Sequence, residues 1–222
     1  MSVVAVKIEC DRIYMAADSQ VGYGETKVMR RRSLGDDKLW STTGGLLVGF
    51  VGTSAMGSIL RRWTMRETPS SPDEAGITAW VDGFHEWRRE KFQDGGEVDH
   101  MSFIVAFKGR AWVVDGYSVS EVPPVENYGY MAIGAGMDLA LGAMAFGADT
   151  FTAVSIACDH NEQCGGEIVH ARMLRDGVIQ GDVARLDVVS YAEHVEASGD
   201  LHIGSNGSEL SKAVNAVQEI SY

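Results

Sequence analysis

Met1 is followed by a serine, and a β-branched run begins directly behind it, Val3 to Ile8. A small second residue is the kind that methionine removal exposes, so Ser2 is expected to become the N-terminus. A free N-terminal serine carries a hydroxyl and an α-amine on one residue. That amine titrates at about pH 8, so part of it is neutral near neutrality and can accept the hydroxyl proton, directly or through one water. Nucleophile and base then come from a single residue. Met-Ser alone is a common start, and its neighbours must decide whether it does chemistry. The second cluster of reactive types, Cys158, Asp159, His160 and Cys164, matches no zinc spacing, and no further Cys/His cluster accompanies it. No metal and no organic cofactor are expected.

The elements that would position Ser2 are short strands and paired helices. Val3 to Ile8 and Ile13 to Ala17 read as strands around a turn at Cys10-Asp11-Arg12. Lys38 to Ser41 and Leu46 to Val51 flank Thr42-Thr43-Gly44-Gly45, a hairpin signal. Ser54 to Glu67 has helical spacing, and Asp73 is placed to cap a second helix through Ile77, Trp80, Val81, Phe84 and Trp87. Strands at Met101 to Phe107, Ala111 to Asp115 and Tyr130 to Ile133 follow. Two more helices come next, one through Leu139 and Met144 and one capped by Asp149, and then a strand from Glu167 to Met173. This order lacks the steady alternation of a parallel sheet. It suits an α+β fold, a four-layer αββα sandwich of two antiparallel sheets flanked by helices. The expected organisation is one domain over 1–222, with 178–222 a C-terminal extension holding a strand at Val183 to Val189 and a helix at Ser208 to Glu219.

The opening SVVAVKIECDRIYMAADSQVGYG resembles that of proteasome β subunits and HslV, the N-terminal-nucleophile peptidases. The likeness continues through Asp36-Asp37-Lys38-Leu39-Trp40, Val48-Gly49-Phe50-Val51-Gly52, Ile133-Gly134-Ala135-Gly136 and Cys164-Gly165-Gly166, spanning residues 2 to 177 in order. The resemblance implies that Ser2 attacks a peptide carbonyl while Lys38 lowers the pKa of its hydroxyl and amine. It implies that Asp18 fixes the Lys38 ammonium and that the Gly49 amide binds the oxyanion. A late acidic position falls to Asp159 or Asn161.

Several positions depart from the family pattern. Serine replaces the usual threonine and lacks its rotamer-restricting methyl. The interval from Asp18 to Lys38 is long, which implies an enlarged loop around Arg30 to Asp36. Ala135 stands where a serine helps orient the amine, and Cys164 stands where a serine is common. A thiol is the weaker hydrogen-bonding partner. Val21, Leu47 and Val51 are candidates for an apolar substrate pocket, with core packing the competing reading.

Composition narrows the partners. A net charge of -12 over 222 residues argues against nucleic acid. No apolar run is long enough for a membrane span, and the start lacks a signal peptide, so a cytoplasmic protein is expected. Three cysteines do not make a disulfide framework. The resemblance implies a peptidase of unfolded polypeptides, self-assembled into homo-oligomeric rings and served by an ATP-dependent unfoldase. Two alternatives stand beside it. One is a non-catalytic ring or scaffold protein that keeps the fold, which a missing Lys38–Asp18 contact would favour. The other is a small-substrate N-terminal-nucleophile amidase.

Overall fold

Two sheets form the centre of the molecule, and each is buried on both faces. The computed structural model describes residues 2–23, 26–29, 38–92, 101–123, 128–174, 176–181 and 185–186. β1 (Val3–Glu9) and β2 (Arg12–Ala17) pair antiparallel, joined by a turn in which Cys10 has φ of 53°. A two-stranded hairpin follows, β3 (Gln20–Tyr23) and β4 (Thr26–Met29). β5 (Leu39–Thr42) and β6 (Leu46–Val51) lead into α1 (Ser54–Arg66) and α2 (Glu74–Phe92). Next come β7 (Ser102–Phe107), β8 (Arg110–Asp115), β9 (Ser118–Glu121) and β10 (Tyr128–Gly134). The helices α3 (Met137–Ala145) and α4 (Thr150–His160) precede β11 (Val169–Leu174), β12 (Ile179–Gly181) and β13 (Arg185–Leu186).

The first sheet has the order β10-β1-β2-β11-β12 and is antiparallel; the second runs β13-β5-β6-β7-β8-β9, antiparallel except for the β13–β5 pair. Strand alternation sorts the side chains into three cores. Val4, Val6 and Ile8 of β1 meet Leu47 and Ile104 of the second sheet between the layers. Val3 and Ala5 face the other way, against Ala140 and Met144 of α3 and Ala153, Val154 and Ala157 of α4. Leu46, Val48 and Phe50 of β6 pack under α1 and α2 with Trp63, Trp80 and Phe84. The result is the αββα sandwich that the element order predicts.

Local chemistry explains the helix starts. The Thr53 hydroxyl accepts from the Met56 amide at 3.3 Å, the Asp73 carboxylate from Gly76 at 2.9 Å and the Asp149 carboxylate from Thr152 at 2.7 Å. Trp63, Trp80 and Trp87 lie in one aromatic cluster, with Trp63–Trp80 centroids 6.3 Å apart and Trp63–Trp87 5.7 Å; the first two are core residues and Trp87 packs half-buried against them. The extension enters both sheets: β12 continues the first, and Arg185 and Leu186 pair with Ser41 and Thr42 of the second. The remainder of the expected strand at 183–189, the helix at 208–219 and the loop at 30–36 lie outside the described residues.

His85 of α2 is fully buried, its Nε2 3.0 Å from the Gly116 carbonyl and its ring stacked on Tyr117 at 4.0 Å. Burial, the largest cause, lowers its pKa and Arg88 and Arg89 add to the effect, while the hydrogen bond to Gly116 and the Asp82 charge oppose it. The unfolded chain therefore binds more protons than the folded one below about pH 6.5. The stabilising contribution of neutral His85 is present above that pH and is lost as pH falls through its depressed folded value. A melting-temperature series from pH 7.5 to 5.5 should show part of the acid loss disappearing in His85→Phe.

Candidate active site

Ser2 sits at the mouth of β1, only 3% exposed, with the first sheet closing around its backbone. Val3 is paired with Gly134 at the end of β10, and the Gly136 amide faces the Ser2 carbonyl oxygen at 3.4 Å. Gly134 has φ of 94°, and a Cβ there would run into the Ser2 carbonyl. Glycine is required on both counts.

Asp18 follows β2 directly, and its side chain is wholly buried. All its acceptor capacity is in use. Oδ1 accepts from the Val3 amide at 2.9 Å and from the Lys38 ammonium at 2.8 Å. Oδ2 accepts from the Gly165 amide at 3.1 Å and the Gln20 amide at 3.3 Å. One carboxylate oxygen thus bridges the residue after Ser2 and the Lys38 cation. Lys38 is 10% exposed in its side chain, and burial lowers its pKa while the Asp18 charge and hydrogen bond oppose the change. Its carbonyl receives the Phe50 amide at 2.8 Å, which locks the lysine to β6. The contact whose absence would favour a scaffold is present.

The turn between α4 and β11 completes the enclosure. The Cys164 sulfur lies against Gly136, and Gly165 both donates to Asp18 and accepts from the Ser19 amide at 3.1 Å. Burial, reinforced by the Asp18 charge, pushes the Cys158 thiol up to about 12 and the Cys164 thiol up to about 11. Both stay protonated at neutral pH and do not compete as nucleophiles. Asp159 is exposed on the last turn of α4, where its charge adds slightly to the raised pKa of the Cys158 thiol. Asn161 is the residue that reaches in: its amide donates to the Ala135 carbonyl at 2.7 Å and its oxygen accepts from the Gln163 amide at 2.9 Å. Of the two late candidates, Asn161 holds the Ala135 turn beside Ser2.

Two other sequence expectations fall in a different place. Leu47 is 0% exposed between the sheets, so it belongs to the core and lines no pocket. Gly49 is a packing glycine, since a Cβ there would stand 2.5 Å from Val4 Cγ1 and 2.9 Å from the Met15 sulfur. Its amide is also committed. Strand alternation sends the Phe50 amide to Lys38 of the β5 side and the Gly49 amide toward Ile104 of β7. Gly52 follows β6 directly, with φ of 157°. Val51 is half-buried beside Gly134 and so near Ser2, while Val21 is half-buried on β3. Leu47→Ala should cost about 2–5 kcal/mol of stability while leaving preference across a panel of peptide substrates unchanged.

Among the described residues no His, Cys, Asp or Glu group is arranged to hold a metal ion. No described helix is long and apolar enough to cross a membrane.

The layers and the sheet order give this chain the fold of the HslV-type, proteasome-like peptidases. Among solved structures it is similar to BPH of Thiobacillus denitrificans, with a TM-score of 0.66 at 19% identity over 78% of this chain and 97% of that one. The same protein in complex with epoxomicin gives 0.66 at 20% identity, over 78% and 98%. Eukaryotic HslV from Trypanosoma brucei gives 0.60 at 20%, over 78% and 99%. No protein-family model matches the chain, and no curated protein matches it in sequence.

Proposed function

We propose that the chain is a peptidase subunit that hydrolyses peptide bonds through Ser2, exposed by loss of Met1. The observation that carries this reading is the Asp18 carboxylate, which joins the Val3 amide to the Lys38 ammonium through one oxygen. A surface ion pair would not be wholly buried and tied to four donors. In the proposed reaction Ser2 Oγ attacks the carbonyl carbon and its proton passes to the Ser2 α-amine. The Lys38 charge favours the alkoxide, and its lowered pKa eases proton exchange at the site. The Gly52 amide takes the oxyanion role first given to Gly49, a donor of a kind that contributes about 3–4 kcal/mol to the transition state. The protonated amine then gives its proton to the leaving nitrogen, an ester forms on Ser2, and water resolves it.

Unfolded polypeptides are the proposed substrates, with Val21 and Val51 favouring an apolar side chain before the cut. Assembly into homo-oligomeric rings and delivery by an ATP-dependent unfoldase in the cytoplasm complete the proposal. It is tested by the intact mass of the purified protein before and after a peptide epoxyketone, a warhead that needs hydroxyl and free amine together. Loss of Met1 and one stoichiometric adduct are expected. A retained Met1 with no adduct would overturn the reading in favour of a scaffold.

A further inference from the structure

Lys7 is the only charged residue between Val3 and Ile8 of β1, and the chemistry at Ser2 does not use it. Its side chain is 4% exposed. The ammonium donates to the Ala148 carbonyl at 2.9 Å and meets the Glu9 carboxylate at 2.8 Å. A charge can be buried when it is paired in this way. At about 3.3 Å per strand residue, Lys7 stands roughly 17 Å from Ser2.

A cavity of about 470 Å³ opens here, where α4 begins over the first sheet. Its floor is Lys7 and Glu9 of β1, Tyr14 opposite Lys7 on β2, and His170 of β11. Asp149, Thr150 and Phe151 form the wall. The size suits a small ligand or a single long side chain. Thr150 is only 4% exposed and lines this space, yet among the described residues its hydroxyl has no hydrogen-bond partner. Buried hydroxyls are normally satisfied, so this one is set to meet something that enters. Phe151 is 45% exposed although it packs edge-on to His170, with centroids 5.7 Å apart and planes at 82°.

Charge decides what enters. Against the ammonium of Lys7 stand two carboxylates, Glu9 and Asp149. The ammonium is already engaged by Glu9 and Ala148, and Asp149 closes the start of α4 by accepting from the Thr152 amide. An anion would approach two carboxylates and a cation that is already held. A cation meets the carboxylates, the aromatic faces of Tyr14 and Phe151, and the field of a chain with net charge -12.

We propose that this cavity binds the ammonium or guanidinium head of an unbranched alkyl chain. The head donates N–H groups to Thr150 Oγ1 and to the Glu9 and Asp149 carboxylates, and Phe151 covers the alkyl part. A free diamine carries such a head, and so does a lysine or arginine side chain of a polypeptide.

Calorimetric titration of the full chain with 1,4-diaminobutane and with acetyl-arginine amide tests the site and separates the two sources. At least one should bind saturably at one per chain, and the tighter of the two names the source. Thr150→Val should weaken that binding about tenfold. Its melting temperature should stay level or rise, because the hydroxyl it removes has no partner to lose. Phe151→Ala, at an exposed position, should weaken binding as well. Tetramethylammonium, a cation without N–H groups, should neither bind nor compete. Ser2→Ala should bind as wild type does, so a failed epoxyketone test leaves this site standing. No saturation by either cation at millimolar concentration, binding unaltered in either cavity variant, or competition by tetramethylammonium would overturn the proposal.

Discussion

Ser2→Ala is expected to bring peptide turnover down at least about a thousandfold, to background, and to abolish the epoxyketone adduct. The substitution removes one oxygen and leaves everything that holds the residue. The Gly136 amide still meets the carbonyl of residue 2, and the Val3 amide still donates to Asp18. The fold should therefore be unchanged, and circular dichroism and melting temperature serve as the control. Ser2→Thr separates a catalytic from a structural part: it keeps the oxygen and adds the methyl that narrows χ1. Turnover equal to or above wild type is expected for Ser2→Thr if the hydroxyl is the nucleophile. Undiminished turnover in Ser2→Ala would remove the residue from the mechanism.

Asp18→Ala should produce the largest combined loss, in rate and in stability. The side chain serves four donors, and removing it strands three buried amides and the Lys38 ammonium. Breaking a buried ion pair from one side costs about 3–5 kcal/mol, mostly because the remaining charge is left uncompensated. Lys38→Met should cost less stability, because Asp18 retains the Val3, Gln20 and Gly165 amides. Both single variants should lose turnover by about a hundredfold or more. In the double variant the stability losses should fall short of the sum, since the stranded cation is gone. Additive losses would mean that the pair does not act as a unit, and a Lys38→Met variant with wild-type turnover would take the lysine out of the reaction.

The layers were legible because strands buried on both faces read as near-continuous apolar runs. Val3 to Ile8, broken by Lys7, and Leu46 to Val51 are such runs, and each proves to serve two cores. The helix starts were legible at Asp73 and Asp149, whose carboxylates cap as their spacing suggests. The short strands β3, β4, β9 and β12 were missed, because three or four residues carry too little alternation to be distinguished from a turn. At the site, the fourfold use of Asp18 was not readable, since two of its donors come from Val3 and Gly165, distant in sequence. Gly49 was misassigned for a related reason. A glycine in a strand marks a close approach, but only the register says whether the approaching atom is a substrate or, as here, Val4 and Met15. The sequence leaves the late position open between Asp159 and Asn161; the fold leaves Asp159 exposed at the end of α4, while Asn161 donates to the Ala135 carbonyl.

The β1–β2 turn gives this molecule a handle. Cys10 is exposed there, whereas Cys158 is half-buried and Cys164 fully so, and both of the latter hold their protons well past neutrality. A maleimide dye at neutral pH should therefore attach to one position without any cysteine being engineered. At about 3.3 Å per strand residue, that dye stands roughly 25 Å from Ser2, at the other end of the same strand. Energy transfer from such a dye to a fluorescent peptide held on Ser2 would then report occupancy of the nucleophile, with strand β1 as a fixed ruler between them.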